Sequence, residues 1–229
     1  MYQNKKTPLQ VKQLNVSLVI YQHVLATGLT LPLEMLLAGE AFARRYNKSA
    51  IKLSIQLVSQ ENKAVTSRAG IQFLPDITLD NLPSNEDYVP DIILVPSLWR
   101  NPRPVLKKHE KLITWLKYCW QQGATLLGVG TGVCFLAESG LLDEHSATTH
   151  WHYVDQFKRD YPKVEIKPDF FITQSDRIYC AASLNALADI IVHIISQTYG
   201  RAAAQNVERN FSHEIRKPYE EQRYLEGAV

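Results

Sequence analysis

The chain has 229 residues, which is long for one average domain and short for two. Hydrophobic residues make up 45% and charged residues 21%, so the chain can bury a substantial core and does not have the composition of a disordered protein. Lys and Arg number 25 against 23 Asp and Glu, and this near balance argues against a strongly basic nucleic-acid-binding module. No apolar run reaches the roughly 18 residues of a membrane-spanning helix, so we expect no membrane contact.

The three cysteines, Cys119, Cys134 and Cys180, are odd in number and widely spaced. They fit neither a disulfide framework nor a metal knuckle, and the six histidines other than His150 form no HxxxH or HxH pattern among themselves. We therefore expect a cytoplasmic protein with no metal and no cofactor.

Apolar, β-rich runs alternate with helical patterns in the first half of the chain. Residues 16–20 and 91–96 are short and nearly continuous in apolar character, as buried parallel strands are. Residues 51–57 alternate apolar and polar side chains and predict a strand with one wetter face. Residues 32–46 predict a helix with Pro32 in its first turn.

The second half continues the alternation. Residues 105–122 carry apolar side chains three and four apart and predict a long helix, with Gly123 at its C-terminal cap. A strand over 125–129 and a short helix ending before Gly140 come next. Shorter elements follow: strands near 147–149, 164–166, 170–173 and 177–180, and helices over 184–197 and 201–211.

This order of elements predicts βαβ units, a mostly parallel sheet and helices on both of its faces. Ligands of such folds bind beyond the C-terminal ends of the strands. Candidate functional residues should therefore lie in the turns after Ile20, Val95 and Val129, and in the segment after Thr149.

The turn after Val129 holds three glycines between a strand and a helix, in the sequence GVGTGV at 128–133. A dinucleotide-binding loop would need glycine at position 133, which is valine, and an acidic residue about 20 positions on. A nucleophile elbow would place its nucleophile at Gly130, which has no side chain. Cys134 lies one helical turn later and is more typical of a core residue than of a nucleophile.

The stretch GVGTGVCFLAESGLLD at 128–143, followed by ATTHW at 147–151, resembles the class I glutamine-amidotransferase-like superfamily. It is most similar to the PfpI-like domain at the N-terminus of many AraC-type transcription regulators. The resemblance extends from about residue 16 to residue 211. It implies a flavodoxin-like three-layer α/β sandwich with a mostly parallel sheet.

In catalytic relatives the elbow cysteine pairs with a histidine, and an acid after the first strand supports the thiol. Carried over by position, the cysteine falls on Gly130, the histidine on His150 and the acid near Gly28. Only the histidine is present, and a histidine without a nucleophile cannot perform acyl or thiol chemistry. The resemblance therefore implies no catalytic residues, with His150 either a satisfied polar residue or a ligand contact.

An active site that has lost its nucleophile can still bind a small-molecule effector. The backbone N–H of Thr131 would suit a carbonyl oxygen or an anion. Trp99 and Trp151 would supply an apolar wall, unless they pack in the core. The full set of candidate ligand-binding residues is Ser97, Leu98, Trp99, Gly130, Thr131, His150 and Trp151.

The resemblance implies that residues 1–211 form a PfpI-like sensor and dimerisation domain and that the polar segment 212–229 is a linker. DNA would then be bound only through a C-terminal helix-turn-helix domain that is not in this chain. One alternative is a stand-alone PfpI-like hydrolase, amidase or hydratase, against which Gly130 argues. A second is a scaffold that dimerises and binds no ligand.

Overall fold

A computed structural model describes residues 13–82, 88–99 and 101–211. Its strands are β1 Gln13–Val19, β2 Lys52–Ser59, β3 Val65–Thr66, β4 Gln72–Phe73, β5 Ile77–Thr78, β6 Ile92–Val95, β7 Thr125–Val129, β8 Ser146–Ala147, β9 Glu165–Ile166, β10 Ile172–Ser175 and β11 Ile178–Ala181. Its α-helices are α1 Thr27–Tyr46, α2 Arg103–Leu106, α3 Glu110–Gln121, α4 Val133–Glu138, α5 Val154–Asp160, α6 Leu184–Tyr199 and α7 Arg201–Phe211.

Seven strands form the main sheet in the order β10-β11-β7-β6-β1-β2-β5. All neighbours are parallel except β10, which pairs antiparallel with β11 at one edge. The central strands β1, β6 and β7 are nearly continuous in apolar side chains because they are buried on both faces. The predicted flavodoxin-like, mostly parallel sandwich is confirmed.

The helices pack in two groups. Helix α1 contacts α6 and α7, whereas α4 contacts α2 and α3. Each group presents its apolar side chains to the sheet, so the core is continuous through the three layers. Within the described residues, no helix is long and apolar enough to cross a membrane.

The first helix begins earlier than the sequence predicted. Helix α1 starts at Thr27, and Pro32 lies inside it rather than in its first turn. Pro32 has no N–H, so the helical hydrogen bond to the carbonyl of Gly28 is not made. The helix loses only this one bond and continues past the proline. The extension brings Gly28 beside the end of β6, where it becomes part of the site described below.

The helix predicted over 105–122 is two helices, α2 and α3. Between them His109 leaves the helical conformation, with φ −123° and ψ 37°, and its Nδ1 lies 2.7 Å from the carbonyl oxygen of Val105. The imidazole therefore interacts with a main-chain group at the end of α2. The apolar periodicity continues across this break, which is why the sequence alone suggested one helix.

The short strand predicted near 147–149 ends at Ala147. Thr148 and Thr149 instead use their hydroxyl groups to bind main-chain carbonyls, of Phe170 and Gly130 respectively. The predicted linker 212–229 lies outside the described residues.

Candidate functional site

The site forms where β6 and β7 end side by side, with Val95 paired to Gly128. Gly130 follows β7 and has φ +50°, the left-handed region that glycine adopts without strain. This conformation at a strand-to-helix turn is the backbone of a nucleophile elbow. The elbow is therefore preserved in the main chain although its side chain is missing.

Ser97, in the turn after β6, occupies the space beside the elbow. A Cβ atom built on Gly130 would overlap the hydroxyl oxygen of Ser97. That hydroxyl donates a hydrogen bond of 2.7 Å to the carbonyl oxygen of Val129. The place of the nucleophile is thus taken by a serine hydroxyl that is engaged by the main chain.

The Thr131 side chain joins the two turns. Its hydroxyl donates to the carbonyl oxygen of Leu98 at 2.8 Å and accepts from the N–H of Leu98 at 3.0 Å. Thr131 and Leu98 are both buried, so this pair of bonds is shielded from water. The helix that follows, α4, has only six residues, and its dipole adds little for an anion at the Thr131 N–H.

Gly132 allows the turns to approach this closely. A Cβ atom at residue 132 would overlap the carbonyl oxygens of Val95 and Pro96. These are main-chain atoms of a central strand and its continuation, so they cannot move aside. The second glycine of the Gly130-Thr131-Gly132 sequence is therefore a packing requirement.

His150 lies beside the elbow, with its Cβ 3.5 Å from the position of a Cβ on Gly130. Thr149, the preceding residue, holds it there by donating a 2.7 Å hydrogen bond to the carbonyl oxygen of Gly130. The Nδ1 of His150 accepts from the N–H of His152 at 3.3 Å, so the neutral ring carries its proton on Nε2. Partial burial and the nearby His152 lower the pKa of His150, which favours this neutral form.

The two predicted tryptophans are on the surface. Trp99 is 54% exposed and Trp151 is 77% exposed, so the alternative in which they pack in the core is wrong. The Trp151 ring centroid is 5.5 Å from that of His150, whereas Trp99 follows the buried Leu98. Neither ring is packed in the core, so both aromatic faces are accessible from solvent.

The position expected for the supporting acidic residue is also a glycine. Gly28 is buried in the first turn of α1, and a Cβ there would lie 3.1 Å from the Cβ of Pro96. The loop leading into α1 is held to the serine turn by a 2.9 Å bond from the N–H of Leu25 to the carbonyl of Ser97. Gly28 thus packs against the site without contributing a functional group.

The cysteines do not provide a substitute nucleophile. Cys119, Cys134 and Cys180 are buried, and burial raises the pKa of all three thiols. The pKa reaches about 12 for Cys119 and Cys180 and rises further for Cys134. The interpretation of Cys134 as a core residue agrees with its full burial.

Two clefts of about 560 Å³ each lie elsewhere on the molecule, and neither is lined by a predicted site residue. Within the ranges that the structure describes, no three His, Cys, Asp or Glu side chains are grouped to hold a metal ion. Of the predicted residues, Ser97, Leu98, Gly130, Thr131 and His150 lie in contact around the elbow, and Trp151 contacts His150. No described contact joins Trp99 to this group. The roles of Ser97 and Thr149 were missed by sequence reasoning, although Thr149 belongs to the ATTHW motif.

Fold and site together define a flavodoxin-like α/β protein with a nucleophile-elbow backbone and no nucleophile at its tip. The chain belongs to the DJ-1/PfpI family, whose model matches residues 22–198.

Several known proteins are similar to this chain. The HTH-type transcriptional regulator CdhR of Pseudomonas aeruginosa is 33% identical over 126 residues, which cover 55% of this chain and 37% of CdhR. This chain thus spans well under half of that regulator. The crystal structure of an AraC family transcriptional regulator from Pseudomonas putida superposes with a TM-score of 0.71 over 87% of this chain and all of that one; at 22% identity it supports the fold alone.

An enzyme is also among the similar proteins. The isonitrile hydratase of Pseudomonas putida is 24% identical over 168 residues, which cover 73% of this chain and 69% of the enzyme. The family thus includes catalytic members as well as regulators. Family membership therefore does not distinguish a regulator from an enzyme, and only the residues of the site can.

Proposed function

We propose that residues 1–211 are the non-catalytic, ligand-sensing and dimerisation domain of an AraC-type transcriptional regulator in the cytoplasm. Residues 212–229 would be the linker to a C-terminal helix-turn-helix domain that contacts DNA. The similarity to CdhR supports this role, since that protein is named as an HTH-type regulator and the matched part is 37% of its length.

The observation that carries the non-catalytic half of the proposal is the exchange at the elbow. Gly130 keeps the left-handed backbone, and the hydroxyl of Ser97 fills the space of a side chain at that position. Ser97 is hydrogen-bonded to Val129 rather than to His150, so no described side chain forms a nucleophile–base pair with this histidine.

The sensing half rests on the groups that remain around the elbow. His150 offers a neutral ring with a donor at Nε2, and Trp99 and Trp151 offer exposed aromatic faces. We propose that a small-molecule effector binds against these three side chains and the backbone of Gly130 and Thr131, with Ser97 and Leu98 forming the floor. Binding would stabilise the folded chain by mass action.

A ligand screen by thermal shift tests the sensing site. An effector found in the screen should lose most of its stabilisation in His150→Ala and in Trp151→Ala. Leu74→Ala is the matched control, since Leu74 is 72% exposed and lies outside the site. An effector whose stabilisation is unchanged in both site variants binds elsewhere and contradicts the proposal.

Enzyme assays test the alternative. The purified chain should show no amidase, protease or hydratase turnover above a Ser97→Ala control. Turnover that disappears in His150→Ala would show that the site is catalytic and would overturn the proposal.

The oligomeric state and the DNA affinity are tested on the same chain. We expect light scattering to report a homodimer, the commonest closed oligomer. We expect a gel shift at low salt to show negligible retention of duplex DNA, because a net charge of +2 provides few clustered phosphate contacts. Micromolar or tighter DNA binding by residues 1–229 would contradict the assignment of DNA binding to a separate domain.

A further inference from the structure

A cleft of about 560 Å³ lies where α1 and α6 end and α7 begins. Its wall continues directly into the start of β2 at Lys52, whereas the elbow follows the end of β7. The cleft is therefore at the opposite edge of the parallel sheet from the elbow. Its volume is within the range of small-molecule sites, roughly 300–1,000 Å³.

The walls of the cleft are aromatic. The ring centroids of Phe42 and Tyr46 are 5.1 Å apart and the ring planes are inclined by 54°. Tyr199, at the end of α6, completes the aromatic lining, and Ala202 and Ala203 of α7 leave it open. Such walls suit a flat ring, which can stack on one aromatic face or meet the other edge-on.

One lining residue of the cleft, Tyr199, carries a hydroxyl group that has no hydrogen-bond acceptor. The hydroxyl oxygen of Tyr199 is buried and has no partner. The neighbouring Glu40 carboxylate accepts from the N–H of Leu53 at 3.0 Å and lies 3.8 Å from Arg44, and it makes no hydrogen bond with this hydroxyl. Burial and Glu40 raise the pKa of Tyr199 to about 12, so the hydroxyl keeps its proton as a donor. A buried donor without a partner is costly and rare.

Basic side chains adjoin the lining residues of the cleft. Arg45 lies 5.9 Å from the ring centroid of Tyr46, and the exposed Lys48 and Arg201 are next in sequence to the lining residues Asn47 and Ala202. The C-termini of α1 and α6 contribute partial negative charges, and Arg44 is offset by Glu40. Three full positive charges against two partial negative ones leave a rim that favours an anion.

We propose that this cleft binds a small aromatic carboxylate. The ring packs against Phe42 and Tyr46, and the carboxylate accepts the hydrogen bond of Tyr199. Because Phe42 and Tyr46 contact each other and the Tyr199 hydroxyl is shielded from solvent, side chains of the cleft must shift to seat the ligand. Tyr46 is 72% exposed and so is lightly packed. None of these residues belongs to the elbow site, and the proposal is independent of the function given above.

Titration calorimetry with benzoate as the probe tests the proposal on the whole chain. Tyr199→Phe should weaken benzoate binding at least about tenfold, because it removes a charge-assisted hydrogen bond. Tyr179→Phe is the matched control, since Tyr179 lies on β11 beside His193 and outside the cleft; it should bind benzoate as the unchanged chain does. Without ligand, Tyr199→Phe should be at least as stable in urea, which separates lost binding from lost folding.

The chemical class is tested with two further probes. Benzamide, which keeps the ring and an acceptor but not the charge, should bind more weakly than benzoate, and acetate should not bind. Absence of benzoate binding at millimolar concentration, equal binding by Tyr199→Phe, or equal binding of benzamide each overturns the proposal. Strand β1 starts at Gln13 beside Lys52, so benzoate binding only after removal of residues 1–12 would assign the cleft to this chain's own N-terminal segment and also overturn it.

Discussion

The hydroxyl group of Ser97 lies in the space that a Cβ atom on Gly130 would need. The two residues come from different turns, one after β6 and one after β7, and the hydroxyl at residue 97 leaves no space for a side chain at residue 130. The glycine accommodates the hydroxyl, and the hydroxyl binds the carbonyl of Val129, immediately before the glycine. The sequence therefore lacks a nucleophile at this position, and the packing also leaves no space for one.

The first prediction concerns the coupling between these residues. Gly130→Ala should destabilise the chain by about 2–4 kcal/mol, because the left-handed backbone is strained for alanine and its Cβ meets the hydroxyl. In a Ser97→Ala background only the backbone strain should remain, about 1–2 kcal/mol. Urea unfolding of both single variants and the double variant measures the coupling.

Gly140→Ala is the control for strain alone, since Gly140 has φ +76° and open space around its Cβ position. It should cost about 1 kcal/mol and show no coupling to Ser97→Ala. Additive effects of Gly130→Ala and Ser97→Ala would contradict the overlap.

The second prediction concerns the native thiols. Cys119, Cys134 and Cys180 are buried and their pKa values are raised, so thiolate is scarce at neutral pH. Iodoacetamide at pH 7.5, detected by mass spectrometry, should leave all three unmodified in the folded chain and modify all three in urea. Rapid alkylation of Cys134 without denaturant would contradict its place in the core.

A third prediction restores what the elbow lacks. The double variant Gly130→Cys with Ser97→Ala should carry a thiol at the tip of the preserved elbow, beside His150. We expect that thiol to be alkylated in the folded chain faster than any native cysteine, since the site is partly exposed. Adding His150→Ala should slow the reaction. A new thiol as unreactive as Cys134 would show that the elbow does not present a side chain to solvent.

The fourth prediction is a pH dependence. The pKa of His150 is lowered in the folded chain by partial burial and by His152. The unfolded chain therefore binds more protons, and stability should be full above about pH 6.5 and fall as the pH decreases below that value. Urea midpoints at pH 7.5 and 5 measure the fall.

His150→Gln should flatten this profile, whereas replacement of His193, an exposed residue of α6, should leave it in place. Protonation also removes the acceptor at Nδ1 that binds the N–H of His152. A histidine resonance of His150 that titrates at or above pH 6.5 would contradict the prediction.

The order of elements and the parallel sheet were predictable because burial on both faces makes strands such as β6 and β7 continuous in apolar residues. Helix ends were less predictable. The start of α1 and the break at His109 depend on main-chain hydrogen bonds that local apolar periodicity does not report. The absence of a nucleophile at position 130 was also predictable from the sequence, because a glycine has no side chain in any tertiary environment.

What occupies the space next to that glycine was decided only by the tertiary structure. Helices α2 and α3 and strand β7 separate Ser97 from Gly130 in the sequence, and the parallel pairing of β6 with β7 brings their turns together. The exposure of Trp99 and Trp151 was decided in the same way, because an aromatic residue after a strand can turn either into the core or into solvent. Sequence determined which chemical groups are available at this edge of the sheet, and packing between distant segments determined which of them touch.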